Sequence, residues 1–199
     1  MNSLLIFFLS KTKHQKMSHH PFLQQDHKYK IASTILYHCK NQKVYCLLGK
    51  EGRLAKPNNQ GKWCPLVGFF EPEKHKTVMD ALCAETHEES GGCYSIDASV
   101  LEEPTTFTAT CDGGIRGKKA FLFVQVKEVF TSQRMVENAM RYAKSDYHEK
   151  EEYDWICLED MTRLENGKKS NIELRASFAE DMRSDEFASL LKRANLTCQ

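Results

Sequence analysis

Glu85-Thr86-His87-Glu88-Glu89-Ser90-Gly91 is the stretch on which the reading of this chain turns. Each residue of an α-helix turns by about 100°, so Glu85, Glu88 and Glu89 fall within one arc of about 100°. A solvated acidic face is the common origin of such a pattern, but the phase of the helix argues against it. Val78, Ala81 and Leu82 form an apolar stripe that Glu85 and Glu89 continue, while Lys76, Asp80, Cys83 and His87 take the opposite side. The carboxylates are therefore expected on the side that faces the core. Gathered there, they repel one another and resist ionisation unless a cation joins them. Donors that are all oxygen suit a hard ion, Mg²⁺ or Mn²⁺, better than zinc. Such a centre suits electrophilic help to a phosphate and activation of water.

Working outward, a helix is predicted over 77–90, closed by Gly91 and Gly92 as a left-handed cap. Upstream, 30–38 and 43–49 read as strands joined by a turn at Lys40–Gln42, and the Gly-, Pro- and Asn-bearing 50–62 reads as a loop. Downstream, strands are expected at 95–101, 105–111 and 120–127, with a Gly-rich hairpin tip at 112–119. A helix over 132–144, a strand over 153–158 and a helical region over 173–193 complete the chain. Strands outnumber crossover helices, which points to an α+β sandwich rather than a doubly wound sheet.

Three segments together resemble the Nudix hydrolase superfamily. The second half of that family's signature is similar to Ala84-Glu85-Thr86-His87-Glu88-Glu89-Ser90-Gly91-Gly92. Its tryptophan-to-proline entry is similar to Trp63-Cys64-Pro65-Leu66-Val67-Gly68-Phe69-Phe70-Glu71-Pro72, and its late strand to Tyr153–Asp160. The resemblance covers roughly 28–165. It implies an α/β/α sandwich with a mixed β-sheet and a Mg²⁺- or Mn²⁺-dependent hydrolase of a nucleoside diphosphate linked to another group. ADP-ribose or a sugar nucleotide heads the implied substrates, with dinucleoside polyphosphates next. It also implies Glu85, Glu88 and Glu89 as metal ligands, with the Gly68 carbonyl as a further contact. A distal glutamate serves as general base in several subfamilies, which singles out Glu152 beside Glu149 and Glu151.

The box departs from the family pattern. Gly68 to Gly91 is longer than usual, so an insertion falls within 71–77, and Lys74 or Lys76 stands where the first conserved glutamate belongs. The usual arginine is Ala84, and Thr86 and Gly92 replace aliphatic residues. In the family that arginine and early glutamate pair; losing both avoids leaving an unpaired charge. An active hydrolase is the expectation, and the alternative is a catalytically impaired module that binds a nucleotide or a protein.

Arg116, Lys118 and Lys119 in the Gly-rich tip are candidate diphosphate contacts, although a plain turn with solubilising lysines reads the same. Trp63 and Trp155 are expected in the core. A net charge of +1 gives no concentrated basic surface, so nucleic acid is not an expected partner. The eight cysteines show no C-x-x-C spacing, which argues against structural zinc and favours reduced thiols in a cytoplasmic protein. Residues 1–27 are expected to be a flexible extension, with Met17 a second plausible start, and 28–199 to form one domain including the C-terminal helices. The apolar run Ser3–Leu9 is too short to span a bilayer, so no membrane association is expected. Met135, Ala139 and Tyr142 mark a stripe that suits either packing on the sheet or a homodimer surface.

Overall fold

A computed structural model of the chain describes residues 20–26, 28–112, 117–142, 145–165 and 172–199. The organising element is β1 (Tyr29–Lys40), a run long enough to pair with three different strands. Its C-terminal part turns back into β2 (Lys43–Glu51) with Lys40 opposite Lys43. Asn41 and Gln42 both adopt positive φ, the geometry a two-residue hairpin needs. On that same edge, Ile31–Thr34 pair antiparallel with β4 (Leu66–Phe69). The other edge of β1 runs parallel to β6 (Lys118–Gln125), which in turn pairs antiparallel with β5 (Phe107–Asp112). The short β3 (Trp63–Cys64) and β7 (Lys150–Cys157) both pair with β2, completing a mixed sheet of seven strands.

Period-two alternation divides the strand residues between two cores. Ile35, Tyr37, Cys46, Leu48, Phe121 and Phe123 face one core, while Ala32, Leu36, Leu47, Leu122 and Val124 face the other. Helix α1 (Val78–Glu89) and Met135 of α2 (Ser132–Ala139) cover the second. The first is covered by α3 (Leu158–Glu165), α4 (Ala176–Asp181) and α5 (Asp185–Thr197), through Met161, Phe178, Phe187 and Leu190. The α/β/α sandwich with a mixed sheet is therefore the architecture of this chain.

Several local expectations are corrected. No strand forms over 95–101; Asp97 instead caps a 3₁₀ turn at Ala98–Glu102, its carboxylate accepting the Ser99 N–H at 2.8 Å. Such side-chain caps compete directly with sheet pairing. Helix α2 stops at Ala139, and Tyr142 beyond it stacks on Tyr147 at 3.9 Å. The C-terminal region is two helices, because Ser184 caps the second by accepting the Phe187 N–H. Met135 and Ala139 are buried within this chain, so these two residues of the stripe serve packing. The cysteines are not all free thiols: Cys39 at the end of β1 and Cys198 after α5 form a disulfide. Trp63 lies in the core, and Trp155 is partly buried with its indole N–H on the Phe130 carbonyl. No helix among the described residues is long and apolar enough to cross a membrane.

Candidate functional site

Helix α1 begins with a capping box, in which Thr77 accepts the Asp80 N–H and Asp80 accepts the Thr77 N–H. This fixes its phase, and Val78, Ala81, Leu82, Thr86 and Glu89 are buried as a result. Thr86 is accommodated in the core because its hydroxyl reaches the Leu82 carbonyl at 2.6 Å and Thr34 Oγ1 at 2.8 Å. The side predicted to face outward is only partly exposed, since the rings of Tyr142 and Tyr147 cover His87 edge-on. In the lengthened 71–77 segment, bracing is local. Lys74 pairs with Glu71 at 2.9 Å, and the Glu71 N–H donates to His75 Nδ1 at 3.2 Å.

Two of the glutamates join α1 to β4. A Cβ added to Gly68 would lie 1.8 Å from Glu85 Cδ, so the carboxyl group rests directly on the glycine and any other residue there would displace it. The neighbouring Val67 N–H donates to Glu89 Oε2. Among the described residues no donor or cation contacts the Glu85 carboxylate, which is mostly buried. Burial, then the charges of Glu89, Glu88 and Glu149, push its pKa up to about 8.

Glu89 is in a different state. It is 3% exposed, and Lys150 Nζ lies 3.1 Å from its Oε1. The same ammonium is 3.3 Å from Glu51 Oε1 and 3.2 Å from Cys64 Sγ, and Arg175 reaches Glu51 Oε1 at 3.0 Å. The Lys150 side chain is 0% exposed. Burial alone would lower its pKa, but Cys64, Glu89 and Glu51 outweigh that and hold it well above the ordinary lysine range. Burial raises the Glu89 pKa, with Lys150 opposing. The Cys64 thiol, which donates to Glu51, is pushed up to about 12 by burial. A break in register between Lys50 and Glu51 explains how Lys150 comes to lie inside. It interrupts alternation along β7, leaving Glu151 and Glu152 exposed between buried Lys150 and buried Tyr153. Gly49 leaves room for the lysine stem, whose Cδ would lie 2.9 Å from an added Cβ.

Several of these groups line a cavity of about 350 Å³, with Lys150 and Cys64 buried behind them. Glu51, Glu85, Glu88, Glu89 and Glu149 line it, together with Arg175 and Lys56. Leu54 and Phe69 also line it and remain 60% and 59% exposed. The three helix glutamates and Gly68 are therefore brought together. Others expected with them are not. Glu152 pairs with Lys50 at 3.2 Å on the surface and does not line the cavity, because the register break turns it outward; Glu149 lines it instead. Lys118 lies over the Tyr29 ring, and Lys119 is buried against Asp181, where sheet pairing in β6 directs it. Arg116 lies outside the described residues. Among the described residues, no three His, Cys, Asp or Glu side chains converge as a metal cage. Sequence reasoning missed Glu51, Lys150 and Arg175, which no motif marks; Lys150 was hidden in a charged run that reads as a loop.

No family model matches the sequence, and no curated protein matches it. Among solved structures it is similar to the NUDIX domain of Shewanella oneidensis NrtR complexed with ADP ribose. That likeness has 11% identity and a TM-score of 0.46, covering 85% of this chain and 87% of that one. It is similar to a C. elegans Ap4A hydrolase at 17% identity and TM-score 0.44, covering 85% and 96% respectively. It is also similar to the Nudix hydrolase RenU from M. smegmatis at 14% identity and TM-score 0.48, covering 83% and 85%. The solved structures to which this chain is similar thus include several Nudix proteins.

Proposed function

We propose that this chain hydrolyses the diphosphate linkage of a nucleoside diphosphate joined to a second group, assisted by one Mg²⁺ or Mn²⁺ ion. The observation that carries this reading is Glu85, whose carboxyl group is pressed on Gly68 at the wall of the cavity and makes no ion pair among the described residues. Mg²⁺ keeps several waters and needs only one or two carboxylates, which Glu85 and Glu88 would supply. The donor set does not suit an ion at Glu89, whose oxygens already face Lys150 and the Val67 N–H. Bound at Glu85 and Glu88, the ion would supply charge neutralisation to the diphosphate and a more acidic water.

The chain's own residues carry the remaining work. Lys56 lines the cavity and would hold phosphate charge. Leu54 and Phe69 offer apolar surface to a nucleobase, and a cavity of about 350 Å³ is large enough for a small ligand. Glu149 replaces Glu152 as the carboxylate to accept a proton from the attacking water. ADP-ribose or a sugar nucleotide remains the first substrate to test, and dinucleoside polyphosphates the second.

A second reading, nucleotide capture without turnover, is favoured by the ion pair that withholds Glu89 from a metal. Phosphate-release assays with these compounds, with and without Mg²⁺ or Mn²⁺, separate the two when run beside Glu85→Gln. Divalent-dependent hydrolysis that falls at least about 100-fold in Glu85→Gln is expected from losing transition-state charge stabilisation. Nucleotide binding without hydrolysis in either protein supports capture. Equal activity in both proteins overturns the role of Glu85.

A further inference from the structure

We infer that Lys150 is a resident cation buried behind the wall of the cleft, holding between Glu51 and Glu89 the position that a second divalent ion would otherwise take. The inference deepens the proposed reading and rests on it only for the ion at Glu85. Its warrant is geometric. A fully buried ammonium sits 3.1 Å from Glu89 and 3.3 Å from Glu51, with Cys64 Sγ at 3.2 Å as its third neighbour. Two buried carboxylates are thereby brought to within contact of a single cation, an arrangement that removing the cation would leave uncompensated. Arg175 supplies a second charge to Glu51 at 3.0 Å, while Lys150 is the cation in direct contact with Glu89 at 3.1 Å. Lys150 and Arg175 thus face Glu51 and Glu89 from within, while Glu85 and Glu88 line the same cavity beside them.

The consequence is a cleft limited to one divalent ion, with Glu89 a positioning residue that anchors β4 through Val67. The test uses the full chain and Mn²⁺ alone, with bound ion counted by electron paramagnetic resonance and stability followed by thermal melting. Wild type is expected to bind one Mn²⁺. Lys150→Met is expected to melt about 10 °C lower without metal, because it leaves buried carboxylates unpaired. It should then bind one additional Mn²⁺ and regain more of its melting temperature with the ion than wild type gains. Lys150→Met/Glu89→Gln should lose that extra ion. If Lys150→Met fails to fold, Glu89→Gln alone decides: Mn²⁺ affinity within about twofold of wild type supports the inference, and a tenfold loss overturns it. A Lys150→Met protein that folds but takes up no additional Mn²⁺ also overturns it. Absence of Mn²⁺ from wild type would defeat the ion at Glu85, whereas the gain in Lys150→Met would still judge Lys150 separately.

Discussion

Glu85 titrates where an enzyme working near neutral pH would make use of it, and the direction of its shift fixes how stability responds to pH. Its folded pKa of about 8 lies above the ordinary carboxylate range, chiefly because it is buried. Between these values the folded state holds a proton that the unfolded chain has released, so stability falls as pH rises through that window. In a chelating buffer, wild type is therefore expected to lose stability between about pH 5 and pH 8. Glu85→Gln should flatten the decline and be more stable at pH 8 by about 2 to 4 kcal/mol, allowing for partial exposure. Urea melts across this range check it, and parallel pH profiles for the two proteins would refute it. At this scale the sequence showed Glu85, Glu88 and Glu89 on the inward side, because helix phase depends only on spacing. It could not show that Glu89 is claimed by Lys150, since that meeting depends on a register break in a distant strand.

The end of α1 shows what an element needs from its neighbours. Gly91 has φ of 63°, and an added Cβ would lie 2.4 Å from the Met135 carbonyl of α2. Gly91→Ala therefore faces backbone strain and a clash with a main-chain atom at once. A loss of roughly 2 to 4 kcal/mol is expected from the two together, with an unchanged urea slope if the fold is otherwise kept. A loss below about 0.5 kcal/mol would mean that α2 yields easily to the added methyl. The glycine cap was legible because positive φ has a strong residue preference. The segment 95–101 was not, for its Ile96, Val100 and Leu101 resemble strand residues while Asp97 and Ser99 fold the backbone locally. Likewise, a continuous helical pattern over the C-terminal region concealed the cap at Ser184.

For the whole molecule, the sandwich followed from element order, but its covalent closure did not. Eight cysteines without diagnostic spacing give no pairing rule, and Cys39 and Cys198 meet only because α5 packs beside β5 on one face of the sheet. Their sequence separation of 159 closes a loop whose restriction of the unfolded chain is worth about 5 kcal/mol in the entropic account. Cys198→Ser is expected to lower stability by roughly 2 to 5 kcal/mol relative to the oxidised protein and to leave the reduced protein little changed. Intact mass under non-reducing conditions should show wild type lighter than its reduced form by two hydrogens. Equal masses, or equal stability of oxidised wild type and variant, would count against the bridge.

That bridge also sets how the protein carries tension. A pull applied at Tyr29 and Gln199 has a short covalent route, along β1 to Cys39 and across the sulfurs to Cys198. The load bypasses residues 40–197, and every side chain assigned to the cleft, from Glu51 to Arg175, hangs on the slack side of that route. Stretching would strain one strand while the cleft stays mechanically shielded; with the sulfurs reduced, the same force would instead begin by peeling away α5.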